Sequence, residues 1–66
     1  MIPFVVYKIT PRGEGYCYDG KGNIMRFDNF IDAIRFGINL NTDFIVDHGY
    51  VSIAMYDKTS NHLHYL

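Results

Sequence analysis

Residues 28–41, Asp28-Asn29-Phe30-Ile31-Asp32-Ala33-Ile34-Arg35-Phe36-Gly37-Ile38-Asn39-Leu40-Asn41, are the one stretch of this chain whose apolar residues recur at helical spacing. At 100° per residue, Phe30, Ile31, Ala33, Ile34, Gly37 and Ile38 share one broad face, with Asp32 and Arg35 opposite. Asp28 or Asn29 can cap the first turn, and Asn29 followed by Asp32 resembles a capping box. Asn39 or Asn41 can close the last turn in a left-handed conformation. Phe36 falls on the polar side of this helix, where a large apolar ring needs either a cover or a partner.

The sequence on both sides of this helix has strand character. Ile2–Thr10 is rich in β-branched and aromatic residues, with Val5, Tyr7 and Ile9 on one face and Phe4, Val6 and Lys8 on the other. Pro11–Gly15 is turn chemistry, Gly15–Asp19 a short strand, and Asp19-Gly20 a hairpin signal leading into a third strand over 24–27. Beyond the helix, 42–49 (TDFIVDHG) reads either as a short edge strand or as a turn of helix. Tyr50–Asp57 reads as a strand with Val51, Ile53 and Met55 on one face and Tyr50, Ser52, Ala54 and Tyr56 on the other, and His62–Leu66 as a last strand. The expected class is α+β: an antiparallel sheet of four to five strands with a single helix packed on one face, in the order β-β-β-α-(β)-β-β. All of residues 1–66 are expected to form a single small domain.

Composition removes several functional classes. The net charge is −1, from six Lys+Arg and seven Asp+Glu, which disfavours a polybasic nucleic-acid or membrane binder. No apolar run approaches the length of a membrane span. A single cysteine permits no internal disulfide and fits a reducing, cytoplasmic setting, the host cytoplasm for a phage-encoded chain. The pairs Gly13-x-Gly15 and Gly20-x-Gly22 lack the strand–loop–helix context of a phosphate loop, and no cofactor is expected.

A helix of about ten residues covers ~15 Å, less than the ~20 Å width of a five-stranded sheet, and it covers one face only. The other face must be polar or must meet something. Tyr50 and Tyr56, joined by Tyr16 and Tyr18, are expected there, and a tyrosine suits an interface because it pairs a large apolar body with a polar tip. Phe36 is a further candidate anchor. The leading expectation is a non-enzymatic protein-binding module, of the inhibitor or adaptor kind that small phage-type proteins provide. It would act on a larger partner protein, or pair with itself as a homodimer, through the tyrosine face or an edge strand.

Two alternatives use other residues. Aromatic groups on a sheet face can stack nucleic-acid bases, and a positive surface over Tyr16, Tyr18, Tyr50 or Tyr56 would favour that reading. A small metal- or cysteine-dependent enzyme would need Cys17 activated, or His62-x-His64 joined by His48 or Asp47 as metal ligands; His48, His62 and His64 are weak metal candidates.

Overall fold

In the computed structural model, which describes residues 1–66, the chain runs as β1 (Phe4–Thr10), β2 (Gly13–Tyr16), α1 (Phe30–Asn39), β3 (Asp43–His48), β4 (Val51–Asp57) and β5 (His62–Tyr65). The five strands form one antiparallel sheet in the order β2-β1-β3-β4-β5, with α1 on one face. The class is the expected α+β arrangement.

The stretch 42–49 supplies the middle strand of the sheet. Asp43–His48 pairs with β1 along one side, from Phe4↔His48 to Ile9↔Asp43, and with β4 along the other. Its alternation explains why: Phe44 and Val46 point into the core while Asp43, Ile45 and Asp47 point away. It is neither an edge strand nor a turn of helix. The third strand expected over 24–27 is reduced to two isolated bridges, Tyr18↔Ile24 and Phe4↔Phe27. Asp19 explains the loss, because its side chain accepts the Lys21 and Asn23 N–H groups and curls the chain into a loop.

The helix begins as its sequence suggests. Asn29 is extended, and its side chain accepts the Asp32 N–H at 3.0 Å. At the other end Asn41 has φ +57°, and its N–H bonds the Ile38 carbonyl at 3.1 Å. The buried helix residues are Ala33, Ile34 and Gly37, so the contact stripe is narrower than the expected face. Ile31 and Ile38 stay exposed. Gly37 sits directly over Phe44: a Cβ placed there would lie 2.4 Å from the Phe44 ring.

Beneath α1 the core gathers Val6, Phe44, Val46 and Tyr56 from three neighbouring strands, with Cys17 at its side. The Phe44 and Tyr56 rings stack at 5.1 Å. Tyr56 is therefore not on the uncovered face: it is 7% exposed, faces the helix, and donates its phenol proton to Asn61. The expected facing of β4 is reversed, because Ala54 and Tyr56 point inward opposite Val46 and Phe44 while Met55 points outward opposite Ile45. A bulge accompanies the change. Ile53 is the extra residue between the pairs Val46↔Ala54 and Asp47↔Ser52, so Ser52 shares the outer face with Met55.

Phe36 has a cover, but not from 42–49. Residues 17–29 run along the edge of β1 beyond β2, and on the helix side Phe27 meets the Phe36 ring at 5.2 Å. Phe36 is half-buried there rather than a free anchor.

Candidate protein-binding face

Strand alternation sorts the outer side of the sheet residue by residue. β1 contributes Val5, Tyr7 and Ile9; β2 contributes Glu14 and Tyr16, opposite Ile9 and Tyr7; β3 contributes Asp43, Ile45 and Asp47. β4 adds Ser52, Met55 and Asp57, and β5 adds His62 and His64, opposite Asp57 and Met55. No helix covers this surface. Its middle is apolar, built from Val5, Tyr7, Ile9, Ile45 and Met55, and carboxylates surround it.

Charge is segregated across the sheet. Four of the seven acidic residues, Glu14, Asp43, Asp47 and Asp57, lie on this face. None of the six basic residues does. Lys8 is paired with Phe44 and shares its helix-side facing. Arg12 and Lys58 are in turns, Lys21 and Arg26 in the 17–29 segment, and Arg35 on the helix.

Hydrogen bonds hold the polar groups in place. The Tyr16 phenol donates to Asp47 Oδ2 at 3.0 Å, and Ser52 Oγ donates to Asp47 Oδ1 at 2.7 Å, so one carboxylate ties β2, β3 and β4 together. The Tyr7 phenol donates to Glu14 Oε1 at 3.2 Å, and its ring meets Tyr16 edge-on at 5.1 Å. The hydrogen bond to Asp47, helped by the carboxylate's charge, raises the Tyr16 pKa above the ordinary tyrosine value. Desolvation within the sheet and then Glu14 raise that of Tyr7. Asp57 titrates below the usual aspartate range, chiefly because it accepts hydrogen bonds from Ser60 and from the Thr59 N–H. The carboxylate of Asp43 accepts the Lys58 N–H at 2.8 Å. A shallow hollow of about 270 Å³ opens between Ile9, Asp43, Met55, Asp57 and His64.

The candidate tyrosines do not gather on this face. Tyr16 is there, partly exposed and bonded to Asp47. Tyr18 lies beyond the end of β2 on an isolated bridge and is well exposed. Tyr50 is fully exposed at the tip of the β3–β4 turn, next to Gly49, whose φ is +68°. Tyr56 is in the core. Of the residues that do build the surface, Val5, Tyr7 and Ile9 alternate as Val5-x-Tyr7-x-Ile9 and Asp43, Ile45 and Asp47 as Asp43-x-Ile45-x-Asp47, while Glu14, Met55 and Asp57 join them only through strand pairing.

The groups proposed for chemistry are also dispersed. Cys17 is buried, and desolvation raises its thiol pKa, the opposite of nucleophile activation. His48 lies on the helix side of the sheet, its ring stacked on Phe4 at 4.1 Å and its Nε2 3.1 Å from the Ile2 carbonyl oxygen. It cannot join His62 and His64, which are on the opposite face of the sheet. Nor does Asp47, bonded to Tyr16 and Ser52, complete a ligand set: no three His, Cys, Asp or Glu side chains come together as a metal site within the chain. No helix is long and apolar enough to cross a membrane. Comparison with known proteins yields no matching family model, no matching characterised relative and no matching solved structure.

Proposed function

We propose that this chain is a non-enzymatic protein-binding module that docks a larger, basic partner on the outer face of its sheet. The observation that carries the reading is the segregation just described: an uncovered apolar centre ringed by four carboxylates and free of lysine and arginine. Such a surface matches an interface with an apolar core and a polar rim, and its charge steers it toward a positively charged partner. The hollow between Ile9, Met55 and the carboxylates of Asp43 and Asp57 suits one lysine or arginine side chain, apolar along its stem and cationic at its head. An exposed apolar and acidic surface supports an inhibitor or adaptor role in this reading, and the single unpaired cysteine suits a cytoplasmic setting.

Nucleic acid is a poorer match. Tyr7 and Tyr16, the tyrosines on this face, each donate their phenol proton to a carboxylate, and phosphate would be repelled by the same four acids.

Two charge insertions test the reading. Met55→Arg places a cation on the docking face at a residue 39% exposed, and Ile31→Arg places one on the opposite side of the molecule at a residue 56% exposed. Proteins retained by the immobilised wild-type chain should be lost with Met55→Arg and kept with Ile31→Arg, and should elute at moderate salt. Retention that ignores Met55→Arg, or that Ile31→Arg abolishes, would assign binding to another surface.

A further inference from the structure

We propose that the free edge of β5 is a half-site for a divalent transition metal, completed by a second copy of this chain, with His62 and His64 of both copies as the ligands. Three observations converge on this edge. The first is the imidazole pair. His62 and His64 are exposed, share the outer face, and have ring centroids 4.3 Å apart. Two imidazoles on one tetrahedral metal, with metal–nitrogen bonds of about 2.0–2.1 Å, place their centroids about 5 Å apart, so a rotamer adjustment brings both onto one ion. The second is that one chain stops at this pair, because no third metal-binding side chain joins it. A closed zinc site has four ligands, so two are missing.

The third is the backbone of the edge. The Leu66 N–H bonds the Ile53 carbonyl, and the β4–β5 register continues through His64↔Met55 and His62↔Asp57. Antiparallel pairing alternates, so His62, His64 and Leu66 direct their backbone groups inward to β4, while the N–H and C=O of Leu63 and Tyr65 point out of the sheet. The strand has no lysine, proline or bulge to protect that edge. The opposite edge, β2, is followed directly by the segment 17–29.

These features select one mode of pairing. A two-fold axis between Leu63 and its symmetry copy joins the two outward Leu63 backbones by reciprocal N–H···O=C bonds. His62 of each copy then faces His64 of the other as a non-hydrogen-bonded pair. That pair type brings Cα atoms to about 4.5 Å and side chains closest together. All four imidazoles surround one point on the axis, over the outer face, where a single ion meets four nitrogen ligands. A nitrogen-only set of this kind suits zinc, copper or nickel and not the oxygen-seeking magnesium or calcium. The inference shares His64 with the docking hollow but does not rest on the docking reading, and it is tested without any other protein.

The test is a zinc chloride titration of the purified chain at pH 7.5, followed by calorimetry and by sedimentation. The expected result is one zinc per two chains with a change from 7.7 kDa to twice that mass. Magnesium chloride should change nothing. His62→Ala and His64→Ala, both at exposed positions, should keep the circular dichroism of the folded chain and lose both the zinc heat and the mass change. One zinc per monomer, zinc binding without a mass change, or a zinc-dependent dimer that survives His64→Ala would each overturn the proposal.

Discussion

Phe44→Ala should leave the isolated chain largely unfolded at 25 °C. Phe44 is fully buried on the central strand, stacked on Tyr56 and pressed against the backbone of α1 at Gly37. Truncating such a ring costs about 3–5 kcal/mol, from lost transfer energy and the cavity left behind. A core in a domain of this size rarely supplies more than about 3–5 kcal/mol in total. The whole of the net stability is therefore at stake in one side chain. Far-ultraviolet circular dichroism and urea unfolding read the outcome. Phe44→Leu, which keeps most of the volume, should fold and lose about 1–2 kcal/mol. A cooperative Phe44→Ala transition close to that of the wild type would mean that the strand–helix contact is not where the stability resides.

Gly37→Ala should destabilise the protein, although alanine is the better helix former. Propensity alone favours alanine by about 1 kcal/mol. The added methyl, however, would lie 2.4, 2.5 and 2.6 Å from three carbons of the Phe44 ring, well inside van der Waals contact. The ring cannot swing away, because it is enclosed by the core, so the helix must lift. Overpacking of this kind costs about 1–3 kcal/mol, which offsets the propensity gain and leaves a net loss of up to about 2 kcal/mol. Combining Gly37→Ala with Phe44→Leu distinguishes the cause. If the clash is responsible, the double variant loses less than the sum of the two single variants. Strict additivity, or a stabilised Gly37→Ala, would show that α1 does not rest on Phe44.

These two residues also mark how far the sequence could be read. Helix α1 was legible because its signals agree: Asn29 with Asp32 at the start, Asn41 at the end, apolar spacing between. The strands β1, β4 and β5 were legible from alternation and from β-branched and aromatic residues. The central strand was not. Phe44-Ile45-Val46 is a short apolar run, and such a run has no period of its own to separate strand from helix. Its position in the middle of the sheet follows from partners distant in sequence, from Phe4↔His48 to Phe44↔Tyr56. The competing segment 24–27 carried as strong a strand signal, but Asp19 turns the chain before a ladder can form.

The misplaced facing of Tyr56 has the same origin. With β3 in the centre, inward-pointing Phe44 and Val46 draw Tyr56 and Ala54 onto the helix side, and the bulge at Ile53 resets the alternation behind them. Facing along one strand is undetermined until its neighbours are known, and a bulge is invisible to a period-2 count. The need for an uncovered sheet face was readable from the shortage of helix. Which rings would occupy that face was not, and the acidic ring around it emerged only when four residues scattered from 14 to 57 came onto one surface.

That ring gives the most direct test of the docking face. Carboxyl groups can be labelled with a carbodiimide and an amine, and the modified residues located by mass spectrometry. The measurement compares the free chain with its complex with a captured partner. Glu14, Asp43, Asp47 and Asp57 should lose reactivity in the complex, while Asp19, Asp28 and Asp32 on the remainder of the molecule should label as before. Protection of Asp28 and Asp32 with the outer four unchanged would contradict the account.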